Sequence, residues 1–158
     1  MLQSNKELKK TLTLQQINDR FELKHLVDHF SNLAYVKDVD AQLSLFTEDA
    51  QVTTFIKGEL FANAKGRAEI GDVFKNYLAQ FHTVYHLNGQ QTVEFTGEDS
   101  AEGIAYCQVA LVADKDGQDE MLTHYVRYQD SYQRVGGVWQ IAKRVANFMY
   151  SETRKVQA

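Results

Sequence analysis

The second half of the chain reads as a series of long strands interrupted by turns. Three short clusters rich in Gly, Asp and Ser break it, at residues 96–100, 114–119 and 135–137. Each intervening segment is long for a strand. Because connections this short join antiparallel neighbours, we predict four strands in an antiparallel meander. This pattern restricts the chain to folds built around one large sheet.

The first of these segments, residues 83–95, carries polar side chains where a buried sheet face is expected. His86 and Asn88 share one face by alternation, whereas Leu87 and Phe95 lie on the other. A histidine in mid-strand, followed two residues later by an amide, indicates a sheet face that lines a pocket.

Helical periodicity dominates the first half. Thr13 and Gln16 form a capping box, and apolar residues at spacings of three and four predict a helix from there to about Tyr35 or Val36. A second short helix is predicted over residues 39–46 and a third over 66–80. Between them, residues 51–57 alternate as a strand, and residues 58–65 read as a turn or lid-like loop.

This order of elements is typical of an α+β fold. We expect a cone-like arrangement in which three helices pack on a strongly curved antiparallel sheet and enclose a cavity. A chain of 158 residues is most simply one domain. We assign that domain to residues 13–150, with flexible segments at 1–12 and 151–158.

Composition narrows the classes of function. The net charge is −4 and the 17 Lys and Arg residues are scattered, so we expect no nucleic-acid partner. The single Cys107 excludes an internal disulfide and Cys-rich metal sites, and no metal site is predicted. No apolar run approaches a membrane span, and no secretory signal opens the sequence. We therefore expect a cytoplasmic protein without a membrane partner.

Four stretches resemble one known family. They are residues 38–50 with their Phe-x-x-Asp-Ala ending, residues 65–70 with Gly-Arg-x-x-Ile, the strand Tyr85-His86, and the final hairpin at 128–141. Together they resemble the SnoaL-like polyketide cyclase family of the nuclear-transport-factor-2-like superfamily. The chain is also distantly similar to scytalone dehydratase and dehydrochlorinase. The resemblance implies the cone-like fold and, as in relatives, a homodimer or homotrimer.

The resemblance also implies catalytic residues. In such enzymes an aspartate late in the first helix orients a strand histidine that removes a proton, and His86 matches that histidine. The aspartate position holds Tyr35 here, while Asp38 and Asp40 are the nearest acids. Three alternatives follow: the dyad is absent, a shifted register supplies the acid, or a Tyr–His pair replaces it. The plainer interpretation of Tyr35 is a packed aromatic side chain.

Polar residues on the predicted strands are candidates for binding a substrate. His124, Tyr128 and Asp130 share one face of their strand, and Arg127 lies on the other; alternation alone does not decide which face is inward. Arg127 or Arg144 could hold an anion, although a solvated charge is commoner. The substrate-binding candidates are Asn88, Tyr106, His124, Arg127, Tyr128 and Asn147.

Two functions remain open. The first is a lyase, isomerase or cyclase that needs no cofactor and removes a proton from a small apolar, oxygenated molecule, with His86 as base and Tyr35 or Tyr128 assisting. The second is a non-catalytic domain that binds a small hydrophobic ligand or mediates oligomerisation.

Overall fold

A computed structural model describes residues 11–158 of the chain. Its elements are α1 (Leu14–Tyr35), α2 (Val39–Ser44), β1 (Phe46–Ile56), β2 (Glu59–Lys65), α3 (Gly66–Leu78), β3 (Thr83–Phe95), β4 (Ser100–Lys115), β5 (Gln118–Val135) and β6 (Val138–Lys155). No helix within the described residues is long and apolar enough to cross a membrane.

The helices follow the sequence signals closely. The Thr13 hydroxyl oxygen accepts from the Gln16 backbone N–H, and the Thr13 backbone N–H donates to Gln16 Oε1. These two bonds complete the capping box and fix the start of α1. The α1 side chains Leu23, Val27 and Phe30 are buried where the helix meets the sheet. Their spacing of three and four residues explains why this face packs inward.

The sheet is curved and six-stranded, with the order β2-β1-β6-β5-β4-β3. The α+β fold class is therefore confirmed, and β3 to β6 form the predicted antiparallel meander. The prediction of a wholly antiparallel sheet is wrong, because β1 runs parallel to β6. A long connection through β2, α3 and the meander separates these two strands, so no tight turn dictates their relative direction.

Two stretches have a different structure from the one predicted. Residues 58–65, read as a lid-like loop, contribute the edge strand β2, because Lys57 and Gly58 adopt positive φ angles of 51° and 82° and close a two-residue hairpin. Strand β1 also begins at Phe46, the last residue of the predicted second helix, because α2 already ends at Ser44.

The ends of the chain were predicted to be flexible. At the C-terminus, β6 continues to Lys155 and stays paired with β5, so residues 151–155 are part of the sheet. At the N-terminus, the segment 1–12 lies largely outside the described residues.

A β-bulge interrupts the last hairpin. Tyr132 pairs with Ile141, but the next pair is Ser131 with Lys143, so Ala142 is the extra residue on β6. Ile141 and Arg144 are both buried although three positions separate them. The bulge thus turns Arg144 to the inner face, the sheet face covered by the helices.

Candidate functional site

A cavity of about 100 Å³ lies between the three helices and the inner face of the sheet. Its walls are mostly apolar, with Phe30 from α1, Phe74 from α3 and Phe148 from β6 among them. Polar side chains enter this lining at a few points only, which is the usual composition of a small-molecule site. These polar residues are Gln42, Thr54, Tyr77, His86, Tyr128 and Arg144.

His86 reaches the cavity from β3. It is half-buried, its ring meets Phe30 edge-on at 6.4 Å between centroids, and its buried Nδ1 makes no hydrogen bond to any described group. Burial, helped by the positive charge of Arg144, lowers the pKa of His86 to about 4. The imidazole is therefore neutral near pH 7 and able to accept a proton.

Arg144 supplies a buried positive charge beside the same cavity. Only 1% of it is exposed. Its Nε and Nη2 donate to the two oxygens of Asp130 at 2.8 and 2.7 Å, and the guanidinium lies 3.9 Å from the centre of the Tyr128 ring. Burial opposes the charge, but Asp130 outweighs it and the pKa of Arg144 is raised. The remaining nitrogen, Nη1, is buried and makes no hydrogen bond to a described group.

Gln42 brings an amide to the cavity from α2 and is 1% exposed. Its Nε2 donates to the backbone oxygen of Phe30 at 3.2 Å. Its Oε1 is buried and makes no hydrogen bond to a described group.

Tyr77 of the cavity wall pairs with His124, a predicted substrate-binding residue that does not itself line the cavity. The Tyr77 hydroxyl and His124 Nε2 are 2.8 Å apart, and the His124 ring meets Phe148 edge-on at 4.9 Å. Burial raises the pKa of Tyr77 to about 12. Burial, followed by the charge of Lys57, lowers the pKa of His124, so both partners are neutral at pH 7.

A family model for the SnoaL-like domain matches residues 15–145. The chain belongs to this family. The comparison with curated proteins finds no match.

Solved structures share the fold of this SnoaL-like protein. A proposed scytalone dehydratase from Novosphingobium aromaticivorans DSM 12444 has a TM-score of 0.78 at 18% identity, covering 93% of this chain and 95% of that one. The LinA-type3 hexachlorocyclohexane dehydrochlorinase of Novosphingobium barchaimii LL02 has a TM-score of 0.74 at 20% identity, covering 89% of this chain and 93% of that one. A proposed aromatic ring hydroxylase from Novosphingobium aromaticivorans has a TM-score of 0.73 at 26% identity, covering 89% of this chain and 94% of that one.

Tyr35 lies apart from the cavity of this SnoaL-like protein. It ends α1 with 64% of its surface exposed, whereas its neighbour Ala34 is buried and lines the cavity. Asp28, an acid of α1, accepts a hydrogen bond from Asn88 Nδ2 of β3 at 2.9 Å. His86 therefore has no carboxylate partner among the described residues.

Asn88 ties the sheet to α1. Besides Asp28, it contacts Ser31, whose hydroxyl donates to Asn88 Oδ1 at 3.1 Å. Asn88 does not line the cavity. Its amide is occupied by these contacts, so its position favours a structural role over the predicted substrate contact.

Arg127, Tyr106 and Asn147 form a row on the outer face of the sheet, the face away from the helices. Arg127 Nε donates to the Tyr106 hydroxyl at 3.1 Å, and Asn147 Nδ2 donates to the Arg127 backbone oxygen at 3.4 Å. None of the three lines the cavity. The inward set on β5 is His124, Tyr128 and Asp130, all buried.

Sequence reasoning missed two cavity residues and undervalued a third. Gln42 and Tyr77 were read only as parts of amphipathic helices, although a glutamine on the inward side of α2 is an unusual choice. Arg144 was named as a possible anion-binding residue, with a solvated charge as the commoner case, and Asp130 in the facing strand was the signal for its burial. Among the described residues, no group of three or more His, Cys, Asp or Glu side chains could hold a metal.

Proposed function

We propose that this SnoaL-like protein binds a small oxygenated molecule in the cavity and removes a proton from a carbon next to its carbonyl group. One observation carries the proposal: a neutral imidazole and a buried guanidinium line the same apolar cavity, and His86 Nδ1 and Arg144 Nη1 make no hydrogen bond to any described group. Such pairs of base and oxyanion stabiliser are what this chemistry requires.

The steps are simple. His86 takes the proton as the C–H bond breaks, and the electron pair becomes a C=C bond while negative charge moves to the carbonyl oxygen. Arg144 Nη1 donates to that oxygen. Loss of a β-hydroxyl, which takes the proton back from His86 and leaves as water, completes an elimination; return of the proton to another carbon completes an isomerisation. The dehydratase and dehydrochlorinase names of two structural relatives describe eliminations.

The proposal predicts hydrogen exchange in a simple ketone. In D₂O, the protein should speed the incorporation of deuterium next to the carbonyl of cyclohexanone. Proton NMR measures this exchange. His86→Ala should slow this exchange by about 100-fold or more while the ligand still binds. His82→Ala is the matched control, because His82 is an exposed histidine paired with Asp119. Undiminished exchange in His86→Ala would remove His86 from the role of base.

A second function is favoured by one specific observation. A histidine with a pKa of about 4 and no carboxylate partner is a weak base, which suits a protein that binds the ligand without transforming it. Saturable binding without any exchange in the same experiment would support this alternative.

A further inference from the structure

Gln42 lines the cavity with a side chain whose hydrogen-bond acceptor is unused among the described residues. The side chain is 1% exposed, yet its Oε1 makes no hydrogen bond to any described group. Buried carbonyl oxygens are normally paired, because leaving one unpaired costs free energy that an apolar residue of the same size would avoid. A methionine or leucine would fill this position on α2 without that cost.

The orientation of the amide is determined by the backbone. Its nitrogen lies 3.2 Å from the Phe30 carbonyl oxygen, which can only accept. Exchanging the two ends of the amide would place two acceptors against each other. The end of Gln42 left unpaired is therefore the oxygen, and it needs a donor.

Arg144 has the opposite requirement. Its Nη1 is a donor without an acceptor, and a guanidinium cannot accept. The two groups are arranged around the same residue: Gln42 binds the Phe30 backbone, and the Arg144 guanidinium lies 4.8 Å from the centre of the Phe30 ring. One molecule in the cavity is thus offered one donor and one acceptor.

We propose that the cavity selects compact ligands that carry a hydroxyl or N–H group for Gln42 Oε1 together with a carbonyl or acidic oxygen for Arg144 Nη1. A volume of about 100 Å³ suits roughly one six-membered ring. The surrounding walls are apolar, so the rest of the ligand is hydrocarbon. The inference deepens the proposed function, and it depends on ligand binding but not on proton transfer.

The test compares ligands that differ only by a hydroxyl group. Binding of cyclohexanone, 3-hydroxycyclohexanone and 4-hydroxycyclohexanone is measured by calorimetry in the His86→Ala protein, where turnover does not consume the ligand. At least one hydroxylated ketone should bind about 10-fold more tightly than cyclohexanone. Equal binding of all three, or no binding of any, overturns the ligand class.

A second substitution identifies the acceptor. Adding Gln42→Met, which matches glutamine in length, should abolish the hydroxyl preference, so that the three ketones bind with equal affinity. Gln108→Met, at an exposed position of β4, should preserve the preference. A preference that survives Gln42→Met overturns the role of Gln42.

A crystal structure of the His86→Ala protein with the preferred ketone needs no change at Gln42. The ligand hydroxyl should lie within about 3.2 Å of Gln42 Oε1. A water molecule that bridges Gln42 and Arg144, with the hydroxyl elsewhere, overturns the inference. Failure here is separable from failure of the proposed function, because exchange in cyclohexanone tests only proton transfer.

Discussion

His86 differs from an ordinary catalytic histidine at the scale of single side chains. It has no carboxylate to stabilise its protonated form, and the nearby Arg144 opposes that form. Two acids of the neighbouring elements have other partners: Asp130 binds Arg144 and Asp28 binds Asn88. The imidazole is thus kept neutral near pH 7 by its surroundings.

The lowered pKa of His86 predicts a dependence of stability on pH. The ordinary pKa is 6.5 and the folded value is about 4, so between these values the unfolded chain binds a proton that the folded protein does not. The stability that the folded protein gains while His86 is neutral in both states is fully present above pH 6.5 and is lost as the pH falls toward 4. His86→Gln should lose less stability over this range in urea titrations; identical pH profiles would contradict the shift.

Arg144 shows why the site could be predicted only in part. Counting outward from the turn at Val135 and Val138 without a bulge would place Asp130 opposite Lys143. The bulge at Ala142 shifts the register by one residue and brings Arg144 to Asp130. Alternation places His86 on a polar strand face and sorts the β5 residues into two faces without saying which is buried, and a local backbone irregularity has no clear signature in composition.

At the scale of elements, the N-terminal half of α1 is attached to the last hairpin through Asp19. This carboxylate is 2% exposed, and it accepts from Arg134 Nη1 at 2.6 Å and from Trp139 Nε1 at 3.0 Å. One side chain thus connects α1 with β5 and β6. The helix carries Phe30 and Ala34 of the cavity wall, so this attachment also supports the site.

Removing this attachment should destabilise the protein. Asp19→Ala leaves the buried Trp139 N–H without its acceptor and leaves Arg134 paired with Asp99 alone. We expect a loss of about 2 kcal/mol in the free energy of unfolding, measured with urea. Asp40→Ala is the control, since Asp40 pairs with the exposed Lys75 and little change is expected. A loss no larger than that of the control would show that Asp19 does not hold α1 in place.

Helices were more predictable than strand edges. The capping box at Thr13 and the apolar spacing of α1 and α3 are local signals, and the structure follows them. The edge strand β2 was missed because Leu60 and Phe61 are 61% and 54% exposed and show no buried alternation. An edge strand pairs through its backbone on one side only, so its side chains need not follow a pattern.

At the scale of the whole molecule, the outer face of the sheet stays uncovered. The helices lie on the inner face, while Tyr85 and Leu87 of β3 are 55% and 53% exposed on the outer one. Tyr125 and Tyr150 stack there with ring centroids 4.4 Å apart. Exposed apolar groups on a broad sheet are a feature of surfaces that bind other proteins.

This surface leads to a prediction about assembly. We expect a homodimer or homotrimer in solution, measured by light scattering after size exclusion. Leu87→Glu should shift the mass toward the monomer, because a charge would then face the partner subunit. Leu14→Glu, at an exposed position of α1, should leave the mass unchanged. A wild-type monomer at micromolar concentration would contradict the prediction.

The bulge at Ala142 has a consequence for how the chain folds. The observed register of the last hairpin pairs Asp130 with Arg144, whereas a hairpin without the bulge would be shifted by one residue and would place Lys143 opposite Asp130. Only the guanidinium offers two parallel donors that match a carboxylate. Asp130 therefore favours the hairpin register with the bulge over the shifted register. The ion pair that stabilises this register also places Arg144 beside the cavity.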